Sequence, residues 1–132
     1  MTGKQQRQCP FCSLAEEQIV LENPLAVVKR DGYPISSGHA LVIPRRHVVS
    51  FFDTTTDERV AILELLARAK SLVAHEHAPD GYNIGINDGA AAGQTVMHLH
   101  VHLIPRYLGD VADPRGGIRG IFPDKAAYWK NQ

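Results

Sequence analysis

Cysteine is scarce in this chain: there are two in 132 residues, both inside Cys9-Pro10-Phe11-Cys12, which excludes a small scaffold framed by several disulfides. Net charge is absent as well. Lys plus Arg and Asp plus Glu come to 14 each, so there is no positive field of the kind that holds nucleic acid by neutralising phosphates. Nucleic acid is therefore not an expected partner, whereas a small molecule is. No apolar run approaches the ~20 residues of a membrane helix, and Met1–Gln8 is polar with no apolar stretch behind it. No membrane association and a cytoplasmic location are the expectations. What is present, 44% hydrophobic residues, suffices for one core, giving a single domain over residues 9–132 behind a loose terminus of residues 1–8.

Short apolar runs at Ile19–Glu22, Leu25–Val28 and Ala40–Pro44, bounded by Asn-Pro, Asp-Gly and Ser-Gly turn chemistry, predict three strands, the last two arranged as a hairpin. Thr55 stands three residues before Glu58, a capping box. Behind it Ile62, Leu65, Leu66, Ala69, Leu72 and Val73 keep the i, i+3, i+4, i+7 spacing of a helix to about His75. Tyr82–Asn87 alternates and should pair beside the segment that follows. There, in Gln94–Pro105, three histidines alternate with apolar residues. Alternate residues of a strand share a face, so His98, His100 and His102 line one side in steps of about 6.6 Å, with Met97, Leu99, Val101 and Leu103 towards the core. The order predicts an α+β domain, an antiparallel β-sheet with one long helix packed on a face.

The motif His98-Leu99-His100-Val101-His102-Leu103-Ile104 resembles the signature of the histidine triad family of nucleotidyl hydrolases and transferases. Asn87-Asp88-Gly89-Ala90-Ala91-Ala92-Gly93-Gln94-Thr95-Val96 resembles that family's phosphate loop. Asp31-Gly32-Tyr33-Pro34-Ile35-Ser36-Ser37-Gly38-His39, running into Ala40–Pro44, resembles its nucleoside-binding half. The likeness covers roughly residues 9 to 123.

The resemblance implies that His100 attacks the α-phosphorus of a nucleoside 5′-phosphate derivative (phosphoramidate, dinucleoside polyphosphate or similar) to give a nucleotidyl-histidine that water resolves. A neutral imidazole is a competent nucleophile near pH 7, and its second nitrogen should donate to a backbone carbonyl. His102 would donate to phosphoryl or leaving-group oxygens, and Gln94 and Thr95 with nearby amides would stabilise charge on phosphorus. Asp31 would accept from the ribose hydroxyls, Asn87 and Gly93 would lie beside the phosphates, and His39 would support the histidine network. Arg106, Arg115 and Arg119 are candidates for distal phosphates or are solvated loop charges. The implied ligand is a nucleotide, a purine one, and the implied assembly a homodimer through the helix and an adjacent strand.

Cys-Pro-aromatic-Cys also has a redox form, but that form needs a preceding strand, and only a polar octapeptide precedes Cys9. Some triad proteins, like the related galactose-1-phosphate uridylyltransferases, hold zinc with a cysteine pair, a distant histidine and the first triad histidine. By that likeness Cys9, Cys12, His47 and His98 form a structural Zn2+ site and His100 is left for chemistry. Two reduced cysteines in a turn are the plain alternative. Two other functions stay open: a zinc-catalysed hydrolase with the triad as ligand set, and a nucleotide-sensing or partner-binding module with little turnover.

Overall fold

The computed structural model describes residues 8–131; most of the terminus expected to be loose, residues 1–7, lies outside the described residues. Five strands, β1 (Ile19–Glu22), β2 (Ala26–Arg30), β3 (Ala40–Pro44), β4 (Gly81–Gly85) and β5 (Val101–Arg106), form one antiparallel sheet in the order β1-β2-β3-β5-β4. The expected hairpin is β2 with β3, and the alternating segment after the helix does pair with β5, ending at Gly85.

One helix, α1 (Thr56–His77), covers a face of the sheet. Its start follows from the capping box: Thr55 Oγ1 accepts the Glu58 N–H at 3.1 Å and Glu58 Oε1 accepts the Thr55 N–H at 2.9 Å. It stops where Ala78 turns left-handed, with φ 50°, directly before Pro79, two residues past the expected end. Ile62, Leu65, Ala69 and Val73 of α1 close over Ala26, Val28, Ala40, Val42, Val101 and Leu103, and this is the main core.

The opposite face is divided. Over β1–β3, Val27, Leu41 and Ile43 are covered by Phe11, Leu14 and Ile19, so the cysteine knuckle is a lid on half of that face. Leu41 stands opposite His102 in the β3–β5 register. Residues on one face recur every second position, so His102, Ile104 and Arg106 continue this face past the knuckle, where it is open.

The expectation of one strand carrying all three triad histidines is corrected: the ladder begins at Val101. Backbone bonds upstream go elsewhere. Leu99 N–H donates to Val48 O at 2.7 Å, and Pro44 O, at the end of β3, accepts from the His98 ring at 2.7 Å instead of from a neighbouring strand. Leu99, Val101 and Leu103 are buried as expected, whereas Met97, expected in the core, is 44% exposed. Among the described residues no helix is long and apolar enough to cross a membrane.

Candidate functional site

At the knuckle, the ligand atoms of Cys9, Cys12, His47 and His98 lie within 4.8 Å of one another. His98 Nδ1 is 3.4 Å from both sulfurs and His47 Nδ1 is 2.9 Å from Cys12 Sγ. Because His98 Nε2 donates to Pro44 O, its proton is fixed there and Nδ1 keeps a lone pair turned to the thiols. Burial, with the Cys9 thiol beside it, pushes Cys12 up to about 11, so two thiolates are unfavourable here unless a cation offsets them. Two thiols and two imidazoles, converging with the His98 Nδ1 lone pair turned into the cluster, fit the tetrahedral, soft-donor demand of zinc. No disulfide joins the cysteines.

Next along the chain, His100 is nine-tenths buried. Its Nδ1–H donates to the His98 carbonyl at 2.8 Å, which leaves the Nε2 lone pair free. The Phe11 ring meets it edge-on at 5.0 Å between centroids, and the His102 ring flanks it at 5.2 Å. Sequence reasoning missed Phe11, because its place between two cysteines reads only as knuckle.

His102 continues into a chain of hydrogen bonds. Ile35 N–H donates to His39 Nδ1 at 3.2 Å, so the His39 proton sits on Nε2, which faces His102 Nδ1 at 2.9 Å and Asp31 Oδ2 at 3.3 Å. His102 Nδ1 then accepts, and the His102 proton is on Nε2. Burial lowers both histidines below their ordinary range, with Asp31 opposing the shift. The same three residues have the spacing of a metal set, but His39 has no lone pair to give: one nitrogen accepts from Ile35 and the other carries the proton. They form a proton network. Asp31 is itself held by its turn, Oδ1 accepting from Tyr33 N–H at 2.8 Å.

The loop before the triad differs from expectation at Gln94. Its Oε1 accepts from Gly89 N–H at 2.8 Å, and its Nε2 donates to Val49 O and Val96 O at 3.0 and 3.2 Å. With both ends of the amide spent on backbone and the residue buried, Gln94 shapes the loop rather than presenting its side chain to phosphorus. Gly93, with φ 95°, makes the turn just before it. Thr95 lies by the knuckle, beside Cys9 and His47, whereas Asn87 lines the open groove with Asp31, His39 and His102.

That groove is a cavity of about 810 Å3. Its far wall is the segment after β5, where the chain folds back through a 3-10 turn at Gly117–Ile121. None of the three candidate arginines offers a free guanidinium. Arg106 makes a two-pronged pair with Asp110, both bonds 2.8 Å, and donates to Asn83 Oδ1 at 2.6 Å. Arg115 pairs with Asp113 and lies over Trp129, and Arg119 donates to the carbonyls of Lys125 and Ala126.

A family model described as the HIT domain matches residues 13–109. A HIT-like protein of Mycoplasma pneumoniae is 38% identical over 75% of this chain and 72% of its own length. An AP-4-A phosphorylase of Mycobacterium tuberculosis is 33% identical over 78% of this chain, which spans 53% of that protein. The crystal structure of a Zn-bound histidine triad family protein from Mycobacterium smegmatis superposes with a TM-score of 0.71 at 31% identity, over 96% of this chain and 97% of that one.

Proposed function

The chain belongs to the HIT-domain family, and from that premise we propose that it breaks the bond joining the α-phosphorus of a nucleoside 5′-phosphate derivative to its leaving group, a phosphoramidate or phosphoanhydride bond, with His100 as nucleophile. The observation that carries this reading is the tautomer of His100: with Nδ1–H held by the His98 carbonyl at 2.8 Å, Nε2 is the free, oriented base.

In the first step Nε2 attacks phosphorus and the bond to the leaving group breaks. His102, made cationic as the anionic substrate binds, passes its Nε2 proton to the leaving atom and returns to neutral imidazole. His100 then carries the nucleotidyl group as an imidazolium. In the second step water attacks the same phosphorus, the P–Nε2 bond breaks and His100 regains its lone pair. The water proton recharges His102, so the cycle closes on nucleoside monophosphate and free leaving group. While His102 is cationic its Nδ1–H and the His39 Nε2–H both turn to Asp31 Oδ2, 4.0 and 3.3 Å away, and once it is neutral Nδ1 accepts from His39 again. Asp31 and Asn87 hold ribose and phosphate, Gln94 acts by shaping the phosphate loop, and Gly93 and nearby amides meet the phosphoryl oxygens.

Cys9, Cys12, His47 and His98 would hold zinc, whose contribution there is structural, because four protein ligands complete a tetrahedron. A homodimer is supported by exposed apolar residues on α1 and the edge strand β4, among them Val60, Leu63 and Ile84. The test of the mechanism is stereochemical. A P-chiral adenosine 5′-phosphorothioamidate hydrolysed in oxygen-18 water should give product with retention at phosphorus, as two in-line displacements require. Inversion would mean direct attack by water and would remove His100 as nucleophile.

A further inference from the structure

The loop that leads from Asn87 into the triad is fastened to the domain at few points. Among the described residues the backbone bonds of residues 89–94 close within the loop, Ala92 and Gln94 N–H donating to Gly89 O and Gly93 N–H to Ala90 O. Gln94 Oε1 closes it again on Gly89 N–H at 2.8 Å. Both ends of this closed loop hang from one strap, residues 48–51. At the entrance Asp88 Oδ2 accepts from Ser50 Oγ–H at 3.0 Å and from Phe51 N–H at 2.9 Å. At the exit Gln94 Nε2 donates to Val49 O at 3.0 Å, and Leu99 N–H follows on Val48 O at 2.7 Å.

The strap is itself fixed. Ser50 Oγ, besides donating to Asp88, accepts Phe52 N–H at 3.1 Å and so caps the 3-10 turn Phe51–Asp53. Thr54 Oγ1 donates to Phe51 O at 2.6 Å, and Arg59 of α1 donates to Thr54 O at 2.9 Å. One end of the strap is thus tied to the helix and the other to the triad segment. Asp88 is half-buried against it, while its neighbour Asn87 is exposed and lines the groove. The carboxylate spent on the strap therefore sets where the preceding side chain stands.

We infer that Asp88, with Ser50 as its partner, is a positioning residue: it holds the entrance of the phosphate loop so that Asn87 and the loop amides reach the phosphoryl oxygens. The inference rests on the function proposed above. Asp88 acts through its neighbour and the loop, on donors that matter most as charge develops on phosphorus. Displacing such a group by about 1 Å can cost about a hundredfold in rate. Both bonds fall on one carboxylate oxygen, an arrangement that the carbonyl oxygen of an asparagine reproduces.

The test measures turnover of an adenosine 5′-phosphoramidate, and calorimetric affinities for AMP and adenosine, in Asp88→Ala and Asp88→Asn. Asp88→Ala should lower kcat at least tenfold and shrink the preference for AMP over adenosine at least fivefold, with adenosine affinity within twofold of wild type. Asp88→Asn should return both quantities to within threefold of wild type. A kcat within threefold of wild type in Asp88→Ala would overturn the inference. So would adenosine losing as much affinity as AMP, which means general loosening, or Asn serving no better than Ala. A wild-type protein that prefers AMP less than fivefold would overturn it as well. Should the wild type turn over no amidate, the proposed function fails, and the affinity ratios alone then judge Asp88. If Asp88→Ala does not fold, Ser50→Ala, which removes one of the two bonds, should shrink the AMP preference at least twofold; an unchanged preference would overturn the inference.

Discussion

Asp31 sits where two tasks meet: one carboxylate oxygen anchors its own turn at Tyr33 and the other faces His39 and His102. If it also accepts both ribose hydroxyls, two charge-assisted bonds are at stake, each worth about 1.5–3 kcal/mol. Asp31→Ala should therefore weaken AMP strongly and 2′-deoxy-AMP less, and titration calorimetry should show the gap between them shrinking; an unchanged ratio would put the ribose elsewhere. The histidines beside it set a pH response. His39 and His102 are pushed below the ordinary histidine value of 6.5 chiefly by burial, so just below that pH the unfolded chain binds protons that the folded chain refuses. Stability from this source is complete above about pH 6.5 and falls as the pH drops towards the folded values. Glu58 acts in the same direction at lower pH: its carboxyl is held down by Arg46, so its contribution is lost as pH falls through its folded value. Melting temperature should decline from pH 7 to pH 5, and His39→Gln should flatten the part of the decline nearest neutrality; identical slopes would contradict the assignment.

At the scale of elements, the loop between β2 and β3 brings Asp31 and His39 to the site only because Gly38 lets it dock on the end of α1. Gly38 has φ 93°, and a Cβ there would come within 2.9 Å of His77 Cδ2 and 3.0 Å of Val73 Cγ1. Gly38→Ala should cost more than about 1 kcal/mol of stability and weaken nucleotide binding, whereas Gly32→Ala, with open space around it, should do neither; equal effects in denaturant titrations would rule out this docking account. Where local chemistry sets an element, it was legible in the residue pattern: β1 and β3 match their apolar runs, and α1 begins at the capping box written in Thr55 and Glu58. The triad was legible as a family motif and misleading as a strand. His98 and His100 alternate with apolar residues because their rings serve Pro44, the thiols and a carbonyl, which asks for the same sequence pattern as a ladder without forming one. Gln94's internal bonds, the Phe11 ring against His100 and the Asp110 partner of Arg106 depend on where loops fold back, and no periodicity encodes that.

For the whole molecule, the divided face of the sheet ties the proposed zinc site to the chemistry. The knuckle covers one half, its Phe11 touches His98 and His100, and the other half is the groove. With zinc held as proposed, its loss should loosen the domain first and catalysis second. Cys9→Ser is expected to lower zinc content from about one per chain and to reduce the melting temperature. Brief chelation that leaves the fold intact should spare most of the rate. An immediate stop on chelation without unfolding, reversed by zinc alone, would make the metal the catalyst instead. The exposed residues of α1 and β4 predict a dimer in light scattering, and a particle of 14.5 kDa would exclude it. The central claim, that His100 forms the bond to phosphorus, is tested most directly by single-turnover release of AMP from an adenosine 5′-phosphoramidate by His100→Ala. The account predicts a loss of at least about a thousandfold with AMP affinity nearly unchanged. Retention of more than about a tenth of the wild-type rate, a barrier change under about 1.4 kcal/mol, would contradict it.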